Sequence, residues 1–198
     1  STPTPNRFAA VVGDTSSDDL FAISLNGGTF TDPDTSLSPT DRRFGSQLYR
    51  LTVDPGTQAA TPTLLVDLSD TSVTGLANPI TFGRELTVVP STGELIVTDG
   101  NGAIYGVTVD GSGAFDSIRT IIDGLEAERP GGTAYNPFND TLVFSTVFDE
   151  AIYEVNLDGT GLTQLATGVG VGGFAFIPAP GTAALIGLGG LVATRRRR

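Results

Sequence analysis

Apolar and polar residues alternate with period two in four stretches of the chain, 20–27, 48–55, 104–111 and 152–159. Each opens on an aliphatic–aromatic pair: Leu20-Phe21, Leu48-Tyr49, Ile104-Tyr105 and Ile152-Tyr153. Each closes on a turn pair: Asn26-Gly27, Asp54-Pro55, Asp110-Gly111 and Asp158-Gly159. Successive side chains of a strand point to opposite faces, so this alternation predicts half-buried strands. The closing pairs predict turns, because Gly accepts positive φ and Asn and Asp bond their own backbone. Around the last two stretches the pattern predicts two units of four strands. One unit comprises 86–89, 95–98, 104–109 and 118–122; the next comprises 133–135, 142–147, 152–157 and 162–166. Polar links such as Pro90-Ser91-Thr92-Gly93, Gly100-Asn101-Gly102 and Pro137-Phe138-Asn139-Asp140 are short enough for antiparallel meanders.

Ile104 and Ile152 are 48 residues apart, near the ~40–50 residues of a propeller blade. The run Gly173-Phe174-Ala175-Phe176-Ile177-Pro178 parallels Gly132-Thr133-Ala134-Tyr135-Asn136-Pro137 and predicts the first strand of a further blade. Residues 8–12 and 20–25 are then expected as its second and third strands, closing a ring between the two ends of the chain. Residues 27–46, rich in Thr, Asp, Pro and Ser, read as a long polar loop. Leu20 and Leu48 are only 28 residues apart, too close for a whole blade. The expected fold is all-β and β-propeller-like, with about four short blades or part of a larger ring. A β-sandwich of the same strands is the alternative. The Leu/Ile-Tyr strand that ends in Asp-Gly resembles the NHL, YWTD and lactonase-like β-propellers, which implies blades and leaves function open. No helix of consequence is expected in the body, and 127–129 before Pro130 reads as a loop.

Composition narrows the chemistry. The chain has 198 residues, no Cys, no His and a net charge of −11. All 11 basic residues are arginines, and four of them end the chain. The rest of the chain is therefore strongly acidic, which opposes binding to nucleic acid. Without Cys there are no disulfides, thiol nucleophiles or zinc–thiolate sites. Without His there is no Ser-His-Asp machinery. Without Lys there is no Schiff-base chemistry and no P-loop lysine. Carboxylates, Tyr, Ser, Thr and Arg remain.

Asp99 and Asn101, Asp110, and Asp158 stand in Asp-Gly or Asn-Gly turns and offer oxygens of the kind Ca²⁺ takes, six to eight at a time. None of these turns matches an EF-hand, and plain hairpin turns are the preferred reading. No other cofactor is expected. Asp14, Asp18 and Asp19, with Asp32, Asp34 and Asp41 in the long loop, read as a solvated acidic surface, with Ca²⁺ or sugar hydroxyls as the alternative. Glu85 with Asp99, or Asp149 with Glu150, are conceivable acid–base pairs, but no spacing selects either. Tyr49, Tyr105 and Tyr153 recur at one repeat position, which favours packing between blades over a sugar-stacking platform. Gly131-Gly132, Gly170 and Gly172-Gly173 precede first strands and are expected to permit close packing, not phosphate binding, since no helix follows.

The last residues form a separate unit, 178–198. Pro178-Ala179-Pro180-Gly181 precedes an uncharged Gly/Ala/Leu segment, and Arg195, Arg196, Arg197 and Arg198 follow. As a helix, residues 181–194 would span roughly 20 Å, short for a membrane crossing of ~17–25 residues. The arginines suit a stop-transfer cluster retained on the cytoplasmic side. This tail resembles the PEP-CTERM sorting signal of Gram-negative bacteria, with Ala179 where that family carries Glu. The match covers about the last tenth of the chain. It implies export, transient anchoring in the inner membrane, cleavage near Pro178–Pro180 by an exosortase-like enzyme, and a final place at the cell surface or outside the cell, often with exopolysaccharide. An exported chain carries a signal peptide, expected here to have been trimmed or to lie outside this sequence.

The expected organisation is an exported domain over 1–177 followed by the sorting tail. The expected role is non-enzymatic, binding or structural, linked to exopolysaccharide. The alternative is a Ca²⁺-assisted propeller hydrolase, lactonase-like or glycosidic, which would need acidic side chains converging on the central opening.

Overall fold

The computed structural model describes residues 8–14, 19–24, 45–125 and 129–168. Twelve strands form three four-stranded antiparallel sheets, each an up-and-down meander. The first sheet contains β1 (Phe8–Asp14), β2 (Asp19–Ser24), β3 (Gln47–Val53) and β4 (Ala60–Asp67). The second contains β5 (Gly83–Val89), β6 (Glu94–Asp99), β7 (Ala103–Val109) and β8 (Phe115–Ile122). The third contains β9 (Pro130–Asn136), β10 (Thr141–Thr146), β11 (Ile152–Asn156) and β12 (Thr163–Ala166). The first strands β1, β5 and β9 lie side by side, so the sheets follow one another as blades do. A short helix, α1 (Thr71–Thr74), links the first sheet to the second. Asp70 caps its N-terminus by accepting from the Ser72 N–H, and Gly75, in the left-handed region, ends it.

The second and third sheets contain the eight strands that the alternation predicts. The first sheet differs. Residues 8–12 and 20–25 were expected as second and third strands, but β1 and β2 are the first and second. The 20–25 stretch is therefore not equivalent to 48–53, 104–109 and 152–157. Second and third strands of a blade are both central and send apolar side chains into the interfaces, so they read alike; the second strands β6 and β10 are buried at every position. The expected first strand at 173–178, the bulk of the 27–46 loop and the C-terminal helix lie outside the described residues, as does any closure of a ring.

Two apolar cores hold the sheets together. Phe21, Ile23, Leu48, Leu86, Leu95, Val97, Tyr105 and Val107 belong to the core between the first and second sheets. Val89, Ile96, Ile104, Leu142, Phe144 and Val155 belong to the core between the second and third. Burying each large apolar side chain stabilises the fold by ~1.5–3 kcal/mol. The repeated aliphatic–tyrosine dipeptide serves both interfaces. In β7, Ile104 packs toward the third sheet and Tyr105 toward the first. Leu48 likewise packs toward the second sheet, while Tyr153 packs back against the second-sheet side.

Buried hydroxyls stitch neighbouring sheets. Ser46 Oγ accepts from the Gly83 N–H at 2.8 Å. The hydroxyls of Thr98 and Thr133 are 2.5 Å apart and join β6 to β9. A Cβ on Gly83 would overlap the end of the Ile23 side chain, which would have to shift. Pro62 in β4 is tolerated because β4 is an outer strand.

Candidate functional site

In a meander, alternate turns emerge at opposite ends of the sheet. The ends of β2, β6 and β10 that lead into the following strands thus share one end of the sheets with the inter-sheet link 68–82 and with residues 123–125 and 129. This loop-bearing end carries an arginine–phenylalanine cluster. The Arg84 guanidinium carbon is 5.5 Å from the centre of the Phe82 ring. That of Arg129 is 5.3 Å from Phe82 and 5.3 Å from the Phe148 ring. These are cation–π distances. Phe148 is 64% exposed. The two salt bridges among the described residues, Arg50–Asp19 and Arg119–Glu94, involve neither Arg84 nor Arg129. Arg84 is partly desolvated and feels the positive charge of Arg129, and both effects lower its pKa.

The backbone places both arginines by irregularities. Gly83 pairs with Asp99 and Glu85 with Thr98, so Arg84 is the extra residue of a β-bulge. Bulges re-aim side chains and terminate pairing. The first sheet has the same irregularity at the start of its inner strand, between Phe8 and Ala10, where the extra residue is Ala9. The third has one near Gly131-Gly132. Only the second sheet carries a long cation at this position. Arg129 lies in the left-handed region, φ 55°. A non-glycine residue there costs about 1–3 kcal/mol. Its N–H donates to Leu125 O at 2.8 Å, and its carbonyl accepts from the Val147 N–H at 3.1 Å, so the conformation is held from two sides. Gly100 packs beneath the cluster. Its N–H donates to Phe82 O at 2.8 Å, and a Cβ on it would overlap the Phe82 ring and Arg84 Cδ.

The carboxylates of the Asp-Gly turns are occupied locally. Asp99 lies at the loop-bearing end and accepts from the N–H and side-chain amide of Asn101, both at 3.0 Å; the same amide donates to Thr81 Oγ1 at 2.7 Å. Asp110 and Asp158 lie at the opposite end, in the last hairpins of their sheets. Asp110 Oδ1 accepts from the Ser112 hydroxyl and N–H and from the Ala114 N–H. Asp158 Oδ1 accepts from the Thr160 hydroxyl and N–H. Asp54 does the same for Gly56 and Thr57 in the first sheet. These bonds favour the ionised form and hold Asp54, Asp110 and Asp158 below the usual carboxylate range. Asp99, Asn101, Asp110 and Asp158 are thus spread over three hairpins. No group of three His, Cys, Asp or Glu suited to a metal occurs among the described residues.

Glu85 and Asp99 separate as well. Glu85 lies opposite Thr98, whose hydroxyl faces the third sheet, and Asp99 is the next residue along β6 and faces the other way. Asp149 accepts from the Tyr153 hydroxyl at 2.7 Å, and Glu150 has φ 49° in the same loop. Asp19 pairs with Arg50. That pair lines a groove of about 820 Å³ at the opposite end, beside Phe115 and Gly113. The groove's arginine is already neutralised, so volume alone does not mark a site. Asp18, Asp32, Asp34 and Asp41 lie outside the described residues, as do Gly170, Gly172-Gly173, Pro178, Ala179, Pro180, Gly181 and Arg195–Arg198. Sequence reading missed Arg84 and Arg129, whose only local signals are the adjacent Phe82 and Pro130.

No known protein family matches the chain, and no curated relative matches it. Solved structures do. A candidate 6-phosphogluconolactonase from Bacteroides uniformis is similar over 87% of this chain and 45% of its own, with TM-score 0.56 and 17% identity. A luciferin-regenerating enzyme is similar over 86% of this chain and 49% of its own, with TM-score 0.53 and 13% identity. An auxiliary nutrient binding protein from Bacteroides thetaiotaomicron is similar over 81% of this chain and 36% of its own, with TM-score 0.50 and 15% identity. The likeness is one of fold alone, and it fits three successive blade-like sheets. The chain spans less than half the length of each of these three.

Proposed function

We propose that this chain is a non-enzymatic binding domain of an exported surface protein, with the loop-bearing end of its blade-like sheets as the recognition face. The observation that carries the reading is the chemistry of that end. Two arginines and two phenylalanines are held there by a bulge and a left-handed residue, while the nearby carboxylate of Asp99 is committed to its own turn. Loops carried on a rigid sheet scaffold suit recognition. Its similarity in fold to a nutrient binding protein is compatible with such a role. The alternative, a lactonase-like or glycosidic hydrolase, has the fold likeness of the candidate 6-phosphogluconolactonase in its favour. It needs converging acids, and no group of three suited to a metal occurs among the described residues.

The sorting part of the proposal rests on the tail. Pro178-Ala179-Pro180-Gly181 and Arg195–Arg198 support handling by an exosortase-like enzyme, transient residence in the inner membrane, and a final location at the cell surface with exopolysaccharide as the expected partner. The test is to express the chain behind a signal peptide in an exosortase-bearing host and read its C-terminus by intact mass. Loss of the residues beyond Pro178–Pro180 is the expected result. An intact tail in the membrane fraction would reduce it to an anchor. Turnover of simple lactones or glycosides by the purified chain, with or without Ca²⁺, would overturn the non-enzymatic reading.

A further inference from the structure

We infer that Arg84 and Arg129, with Phe82 and Phe148, form a binding site for a carboxylate-bearing saccharide. The inference rests on the recognition face proposed above and names its ligand class.

Four independent features point to an anion. Two guanidiniums share one phenylalanine ring. Neither takes part in a salt bridge among the described residues. Two like charges held close repel each other; Glu85 beside Arg84 offsets that in part, and a bound anion relieves the remainder. Arg84 stands at a bulge that holds Ala9 in the first sheet, so the fold does not require a cation there. Arg129 keeps a left-handed backbone, a conformation that clusters at ligand clamps.

The shape of the groups selects a planar anion. A guanidinium carries its N–H donors in one plane, and these match a carboxylate in a forked arrangement. The acidic field of the whole chain opposes any anion, and a dianionic phosphate twice as strongly as a monovalent carboxylate. Phe148, largely exposed beside Arg129, offers an apolar surface on which a sugar ring can rest. A carboxylate carried on a sugar uses both parts of the site; a free small acid uses the arginines alone.

The test is calorimetric titration of the full chain with oligogalacturonate, galactose oligomers of equal length, sodium gluconate and sodium sulfate. Binding of oligogalacturonate, weakened at least tenfold in Arg84→Gln and in Arg129→Gln, is the expected result, with little or no binding of the neutral oligomer. Phe148→Ala is expected to weaken oligogalacturonate and to leave gluconate unchanged. Gly100→Ala keeps every charge but displaces Phe82 and Arg84, and is expected to weaken oligogalacturonate too. Far-ultraviolet circular dichroism and the thermal midpoint establish that each variant is folded. Equal binding of gluconate and oligogalacturonate would overturn the saccharide part, and equal or tighter binding of sulfate the carboxylate part. Binding of the neutral oligomer, unchanged in both arginine variants, would overturn the inference and leave the recognition role standing. Hydrolysis without saturable binding at this cluster would overturn both.

Discussion

Arg119 reaches across β7 to grip Glu94 with two hydrogen bonds, 2.7 Å from Nε and 2.8 Å from a terminal nitrogen. The carboxylate is almost fully buried, and Gly106 on the strand between them leaves the room: a Cβ there would overlap Glu94 Oε1. The other third strands carry Arg50 and Glu154 at this position, each with its own polar partners. Glu94→Ala is expected to lower stability by about 1–2 kcal/mol, since Arg119 is 44% exposed and recovers much of its hydration. Gly106→Ala should cost roughly 1 kcal/mol alone and nothing further in the Glu94→Ala background. Urea unfolding of the two single variants and the double variant measures the coupling, and additive losses would refute it.

The Thr98–Thr133 pair links the second and third sheets through buried hydroxyls. Removing one hydroxyl leaves the other buried without that partner, which costs ~1–3 kcal/mol. Thr98→Val or Thr133→Val should therefore each destabilise, and the double variant should recover much of the loss. The denaturation midpoints decide it. A double variant as weak as the sum of the singles would show that the pair contributes nothing as a unit.

The turn aspartates give the acid limb of the stability curve a definite sign. Asp54 is held low first by the Thr57 N–H, Asp110 by the Ser112 hydroxyl, and Asp158 by the Thr160 hydroxyl. Their folded pKa values lie below the unfolded value of about 3.9. The stability they contribute is fully present above that value and is lost as pH falls through the folded ones. Carboxyl ¹³C titration should place all three below the usual range, and Asp110→Asn should flatten stability against pH below about 4. Ordinary titration of Asp110 would contradict the hydrogen bonding of its turn.

Glu85 has the opposite sign. Burial raises its pKa, and Arg84 beside it offsets that only in part. The folded state then favours the protonated form. The contribution of Glu85 is greatest below the unfolded pKa of about 4.3 and is lost as pH rises through the folded one. Glu85→Gln should raise stability at pH 7, measured by urea unfolding, by no more than about 1 kcal/mol for a half-buried group, and have little effect at pH 3.5. A loss of stability at pH 7 would mean that the carboxylate is a net asset in its ionised form.

Strand alternation carried most of the fold into the sequence. It located the eight strands of the second and third sheets because one period and one turn chemistry repeat in both. It misplaced β1 and β2 because two central strands look alike and Asn26-Gly27 imitates the hairpin after a third strand. The bulge at Arg84 and the left-handed backbone at Arg129 left no trace. Each depends on how an inner strand meets its neighbours across the interface, and no local residue preference encodes that. The arginines were counted in the composition but had no spacing that could bring residues 84 and 129 together.

The tyrosines test whether a repeated residue is structural. Tyr105 is 8% exposed and packs in the core between the first and second sheets. Tyr153 packs in the same way against the core between the second and third sheets, and Tyr49, 2% exposed, packs edge-on against Phe8. Tyr105→Ala should therefore cost ~3–5 kcal/mol, the range for removing a buried aromatic, whereas Tyr105→Phe keeps the ring and should cost about 1. If Tyr105 were a sugar platform, Tyr105→Ala would weaken oligogalacturonate and leave the urea midpoint alone, while Tyr105→Phe, which keeps the ring face, would bind as before. Packing predicts the reverse: a lower midpoint in Tyr105→Ala, and unchanged saccharide affinity in the fraction of Tyr105→Ala protein that is folded.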